Sequence, residues 1–139
     1  MKELTIEEMY RYAQYVHKAG MQRNTIKSPE MAFCVIAYGQ EVGVSPMAAI
    51  NGITFKGVIP TIDGDLLLAL VRKSGELDFI DETLDEKTKV ARCYVRRKGC
   101  PGEPRCSEFS WDDAVKAGLT GKDNWKKFPN RMLRYRALG

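Results

Sequence analysis

A segment near the end of the chain combines positive charge with aromatic rings. Five cations and three aromatic residues fall within the fourteen residues 125–138. Lysine and arginine side chains neutralise phosphates, and aromatic faces stack on unpaired bases. The segment therefore predicts a surface that holds a nucleic-acid strand without reading its sequence.

A helix would present these side chains in a fixed phase. Pro129 suits a first helical turn, so a helix of about nine or ten residues should begin near Phe128. With about 100° per residue, three side chains fall on one side and should pack inward: Phe128, Met132 and Tyr135. The cations on the neighbouring side should form an exposed stripe: Lys127, Arg131 and Arg134.

Arg136 falls outside that stripe. It projects beside Met132, so it should be partly covered and should need a carboxylate or carbonyl partner. Trp125 and Tyr135 admit two interpretations, because an aromatic ring in such a segment either stacks on a base or packs into the core.

Further cations lie upstream of this segment. A predicted strand over residues 89–98 carries Arg92, Tyr94 and Arg96 on one face, which we expect to be exposed, and Lys56 lies in a predicted hairpin. The candidate DNA-contacting residues are basic or aromatic: Arg92, Arg96, Lys126, Lys127, Arg131, Arg134, Arg136, Trp125, Tyr135 and Lys56.

The charge is unevenly distributed along the chain. Residues 91–139 hold 12 Lys and Arg against 5 Asp and Glu, a net charge of +7, whereas residues 61–90 hold 4 against 8, a net charge of −4. The basic third predicts an anionic partner, with a merely solvated basic face as the alternative.

The length of 139 residues and the 44% hydrophobic content fit a single domain, residues 1–139, acting as a DNA-binding core.

Membrane and metal chemistry find little support in the sequence. No apolar run approaches the roughly 18 residues of a membrane span, and the acidic amphipathic beginning is unlike a signal peptide, so we expect a cytoplasmic protein. The four cysteines match no paired zinc pattern, and we expect no metal and no cofactor. Cys34 should be a small buried hydrophobe, and Cys100 and Cys106 could meet across a loop.

Enzymatic alternatives rest on weaker patterns. Residues 118–122 lack the spacing of a phosphate loop, so any DNA activity should not depend on ATP. Asp63 or Asp65 with Asp85 and Lys87 offers the groups of a magnesium nuclease, although these residues fall in a predicted helix cap and a predicted turn. We therefore expect a binding protein, with a nuclease or a protein-interaction module without a nucleic-acid role as the alternatives.

The predicted elements give an α+β fold. Helices are expected over residues 5–19, 28–42 and 47–50, followed by a hairpin that turns at Lys56-Gly57. Asp63 should cap the most buried helix, which ends at Ser74-Gly75. Strands over residues 76–84, 89–98 and 106–109, a helix over 111–117 and the basic helix complete an order that lacks βαβ alternation.

The run Trp125, Phe128-Pro129, Arg131-Met132-Leu133-Arg134 and Arg136-Ala137-Leu138 resembles a motif, W-x-x-x-P-x-x-M-L-x-x-[RK]-A. This motif belongs to the phage RecT/Beta family of single-strand annealing recombinases. Residues 39–51, 55–60, 70–75 and 109–119 resemble further segments of that family in the same order, so the resemblance covers about residues 30–138.

The resemblance implies an ATP-independent protein that coats single-stranded DNA and anneals it to a complement. It implies an α+β core with a curled antiparallel sheet and a homo-oligomer in the full-length form. It also implies a partner exonuclease and contact with the host single-strand binding protein. Family members continue past the motif, whereas this sequence ends at Gly139, so we expect a truncated or short member.

Overall fold

The computed structural model describes residues 2–139 and has an α+β fold. The chain divides into two compact units, Met1–Ala69 and Leu70–Gly139, and the division falls within one helix. Each unit contains helices and a small antiparallel sheet, as expected for α+β rather than alternating βαβ order.

The first unit contains three helices and a hairpin. They are α1 (Ile6–Ala19), α2 (Pro29–Glu41), α3 (Pro46–Gly52), β1 (Ile53–Lys56) and β2 (Ile59–Ile62). The predicted helix starts are confirmed: Thr5 and Glu8 form a capping box, and the Ser28 hydroxyl accepts a hydrogen bond from the Met31 N–H at 3.1 Å. Gly20 ends α1 in the left-handed conformation.

Two predictions for the first unit are wrong in detail. The hairpin turns at Gly57 and Val58 rather than Lys56-Gly57, because Lys56 still pairs with Ile59 and Gly57 takes the positive φ of 66°. Cys34 is exposed rather than buried, since α2 directs Val35 and Ile36 into the core instead.

Helix α4 (Gly64–Lys73) contains the division between the units and is not the most buried helix. None of its ten residues is fully buried. Residues 66–71 are all apolar, and each of them remains partly exposed. The apolar run misled the prediction because its length does not determine how much of it the fold covers.

The second unit is built on a three-stranded antiparallel sheet in the order β3-β4-β5. Its strands are β3 (Leu77–Asp85), β4 (Val90–Arg97) and β5 (Arg105–Ser110), and its helices are α5 (Trp111–Lys116), α6 (Asp123–Lys127) and α7 (Pro129–Leu138). The alternation predicted for β4 is confirmed at Ala91 and Cys93, which are buried. Ser110 and Asp113 form the capping box of α5.

One buried cluster holds the second unit together. Its members come from β4 and from the helices that follow the sheet: Ala91, Cys93, Ala114, Leu119, Trp125, Leu133 and Ala137. Ile80, Leu84 and Phe109 of the neighbouring strands pack against this cluster. Helix α7 contacts all three strands, so the inner face of the sheet determines its orientation.

The close approach of α2 and α3 yields a stability prediction. A Cβ placed at Gly39 would lie 2.5 Å from the Ala49 Cβ, so Gly39→Ala should force these helices apart and lower the free energy of unfolding by about 1–3 kcal/mol. Gly121→Ala is the matched control, because open space surrounds that position, and it should change stability by less than about 0.5 kcal/mol. Chemical denaturation measures both, and a Gly39→Ala protein as stable as the unsubstituted protein would contradict this packing.

The cysteines provide a second test. Burial raises the pKa of the Cys93 thiol, and nearby Glu82 adds to the effect, whereas Cys34, Cys100 and Cys106 are exposed. Since the thiolate is the reactive form, Cys93 should react with a thiol reagent more slowly than the other three. Mass spectrometry after timed alkylation measures this order. In denaturant the four rates should converge, and a fast Cys93 in the folded protein would contradict its inward placement.

Candidate nucleic-acid interface

Helix α7 begins at Pro129, as predicted, but the predicted inward side is wrong. Leu133 and Ala137 are the buried residues of this helix. Phe128 and Tyr135 are 51% and 36% exposed, and only Met132 of the predicted anchor packs against the core. Apolar residues occur on both sides of the helix, and the pair spaced four residues apart at Leu133 and Ala137 is the one the sheet covers.

The predicted cationic stripe is confirmed in its exposure. Lys126, Lys127, Arg131 and Arg134 are all exposed. Lys127 pairs with Asp123 at 3.2 Å, one turn earlier in α6. Among residues 2–139, no carboxylate lies within 4.0 Å of the charged groups of Lys126, Arg131 or Arg134. These three side chains therefore retain their full charge for an anionic ligand.

Arg136 is exposed and has a partner different from the predicted one. Its guanidinium carbon lies 5.8 Å from the centroid of the Phe109 ring on β5, so its contact is a cation–π interaction. No ion pair with a carboxylate is found for it within the described chain, residues 2–139. Arg136 thus carries a free positive charge while its side chain contacts the sheet.

Trp125 is a core residue, which corrects its assignment as a DNA-stacking candidate. Its side chain is 2% exposed, and its ring lies 6.2 Å from Phe109 and 6.4 Å from Trp111, measured between centroids. The short helix α6 directs it inward, away from the exposed Lys126 and Lys127. A base could not stack on this ring without unpacking the cluster.

Arg92 and Arg96 lie on the outer face of β4, as predicted, but carboxylates neutralise them. Arg92 Nε lies 3.1 Å from Glu108 on β5, and Arg96 Nε lies 2.7 Å from Asp78 on β3. Cross-strand neighbours of opposite charge pair in this way on an exposed sheet face. These two arginines are therefore weaker candidates for binding phosphate than the unpaired cations of α6 and α7.

Lys56 belongs to the first unit. It is exposed at the end of β1, before the Gly57-Val58 turn. The helix α7 residues belong to the second unit, so Lys56 is described by itself.

Phe128 is a candidate ligand contact that the helical projection did not indicate. The projection places its apolar ring in the core, yet half of its surface is exposed. Its position immediately before Pro129 was the available signal. A residue that joins two helices follows the direction of the junction rather than the periodicity of either helix.

The carboxylates proposed for a nuclease have local structural partners. Asp63 pairs with Arg23 at 2.5 Å. Asp85 accepts hydrogen bonds from the backbone N–H groups of Lys87 and Thr88 at 2.9 and 3.2 Å, and these bonds lower the pKa of its carboxyl group. In the described part of the chain, no three His, Cys, Asp or Glu side chains are grouped closely enough to hold a metal ion.

No protein-family model matches the sequence, and no curated protein matches it significantly.

Over residues 2–139, no single helix has the length and apolar character needed to cross a membrane. Helices α2 and α3, bent by 111° at their junction, meet the length and composition criteria only when taken together.

The two roles assigned within residues 125–138 are separable by stability. Trp125→Ala should lower the free energy of unfolding by about 3–5 kcal/mol, because it empties a buried aromatic site. Arg131→Ala should change it by less than about 0.5 kcal/mol, since that side chain is exposed and has no carboxylate partner. Denaturant titration followed by tryptophan fluorescence and circular dichroism measures both. Equal stabilities of the two variants would contradict the division of this segment into core and surface.

Proposed function

We propose that this protein binds single-stranded DNA and anneals it to a complementary strand without ATP. The observation that carries the proposal is the α6–α7 surface, defined as Lys126, Phe128, Arg131, Arg134 and Tyr135. It combines three exposed, unpaired cations with two exposed aromatic rings.

Electrostatics favour this surface over Arg92 and Arg96. An arginine already paired with a carboxylate must give up that partner before it binds a phosphate, as Arg92 and Arg96 would. Lys126, Arg131 and Arg134 have no such partner to lose, and binding releases counterions from the strand. The net charge of +7 in residues 91–139 adds attraction at longer range.

The resemblance to the RecT/Beta family is consistent with the proposal in a specific way. The residues that resemble the family motif divide between two environments. Trp125, Leu133 and Ala137 lie in the core, whereas Arg136, the basic position of the motif, lies on the surface. Such a motif would maintain the packing of α7 and one surface cation, while Arg131 and Arg134 occupy positions that the motif leaves open.

The same proposal includes the biological setting that the resemblance implies. The protein would act in the cytoplasm in phage-type homologous recombination, as a homo-oligomer in the full-length form. A partner exonuclease would produce the single strand, and the host single-strand binding protein would be a second partner. No cofactor is needed, because annealing neither makes nor breaks a covalent bond.

Binding to a fluorescent single-stranded oligonucleotide tests the proposal. Arg131→Ala combined with Arg134→Ala should weaken binding by about 10- to 30-fold at low salt, since two charged contacts are lost. The slope of log affinity against log salt should fall by about 1.4, or about 0.7 for each phosphate contact with a single strand. Fluorescence anisotropy at several salt concentrations measures both quantities.

Arg92→Ala combined with Arg96→Ala is the matched control. It removes the same formal charge from the same unit, but from paired arginines, so the salt slope should remain close to that of the unsubstituted protein. Annealing of two complementary oligonucleotides, followed without ATP, should be accelerated by the protein and slowed by the Arg131 and Arg134 substitutions. Affinity that does not respond to salt, or equal losses in the two double variants, would overturn the proposal.

A further inference from the structure

Phe128 occupies the junction between α6 and α7. Its backbone N–H donates to the Asn124 carbonyl at 2.8 Å, and its own carbonyl accepts from the Met132 N–H at 3.1 Å. The residue therefore ends one helix and begins the next, with φ −134° and ψ 60°. Both of its backbone groups are satisfied, so the junction holds the side chain in a defined position while half of the ring remains exposed.

Arg131 and Tyr135 continue a row that starts at Phe128. The Arg131 guanidinium carbon lies 5.7 Å from the Phe128 ring centroid. Tyr135 follows Arg131 by one helical turn and is 36% exposed. With about 100° per residue, Arg131 and Tyr135 project within about 40° of one another on α7, and the Arg131 guanidinium lies against the Phe128 ring. A cation thus lies between two exposed rings along one side of α7.

The core of the second unit does not account for this row. The cluster that anchors α7 uses Leu133 and Ala137, on the other side of the helix. Exposure of an apolar phenylalanine ring to water is energetically unfavourable. Surfaces that bind single-stranded nucleic acid combine aromatic side chains with cations. The surface charge indicates that the ligand of these rings is anionic.

We propose that Phe128 and Tyr135 are stacking positions for unpaired bases, with Arg131 contacting the phosphates between them. This inference rests on the proposed single-strand binding function. It adds that the two rings make the surface prefer single-stranded to double-stranded DNA. Phe128 and Tyr135 are seven residues apart, which corresponds to a rise of about 10.5 Å along the helix axis. That spacing corresponds to about three nucleotide steps of a stacked strand at 3.4 Å each.

The preference for a single strand follows from the groups that a DNA duplex exposes. Paired bases already stack on their neighbours, so their faces are not available to a protein ring without unstacking them. A duplex could still place its phosphates against Arg131 and Arg134. The cations therefore contribute to binding of both forms, whereas the rings contribute only to binding of the unpaired form.

The experiment compares three probes of equal length. They are a single-stranded oligonucleotide, an abasic oligonucleotide with the same phosphate backbone, and a duplex. Phe128→Leu removes the π-face but keeps an apolar side chain, and it should weaken binding of the base-containing single strand by about 5- to 10-fold. Binding of the abasic strand and of the duplex should be unchanged, as should the salt dependence. Phe128→Tyr keeps a ring and should retain the original affinity.

Tyr135→Leu provides an independent variant should Phe128→Leu fail to fold. It should produce the same selective loss, and circular dichroism and thermal unfolding establish that each variant is folded. An equal loss for the abasic and base-containing strands would overturn the stacking assignment, as would unchanged binding of the base-containing strand in both leucine variants.

The failure of the inference is distinguishable from that of the proposed function. If the unsubstituted protein binds the single strand, and binding depends on Arg131 and Arg134 but not on the rings, the function stands and the stacking assignment falls. If the unsubstituted protein binds none of the three probes, both are overturned.

Discussion

The packing of α7 on the inner face of the three-stranded sheet is the constraint on which the rest of the second unit depends. Leu133 and Ala137 share one buried cluster with Ala91 and Cys93 of β4, and Trp125 of α6 completes it. Once these residues are buried, the rotation of α7 about its axis is fixed. Arg131, Arg134, Phe128 and Tyr135 then face outward together. The helical projection had placed Phe128, Met132 and Tyr135 inward, which would require α7 to turn by about 150° about its axis.

Charge pairing then separates cations that look equivalent in the sequence. The arginines of β4 lie opposite acidic residues on β3 and β5, and strand register brings each to a carboxylate. Among residues 2–139, no carboxylate lies within 4.0 Å of the charged groups of the α7 arginines. A surface ion pair contributes little to stability, but it lowers the charge available to a ligand. The potential binding surface is therefore narrower than the basic composition of the last third indicates.

Local signals predicted the elements well, and the reasons are local. Thr5, Ser28, Pro29, Ser110 and Pro129 define helix starts through hydrogen bonds and backbone geometry within a few residues. The alternation in β4 predicted which residues face the core, because side chains alternate strictly along a strand. The errors arose where local sequence does not determine which apolar surface is covered. In α4 an apolar run remains partly exposed, and in α7 the choice between two apolar sides depends on which one the sheet can cover.

The sequence by itself determined the α+β class, the positions of every helix except α6 and of the strands, and the concentration of cations and aromatic rings in residues 125–138. These follow from periodicity, capping and composition, which act over a few residues. Only the tertiary structure decided that Trp125 is buried and Phe128 exposed, and that Arg92 and Arg96 are neutralised while Arg131 and Arg134 are not. Those outcomes depend on residues distant in the chain, namely the strands that cover Leu133 and Ala137 and the carboxylates brought alongside β4 by strand pairing.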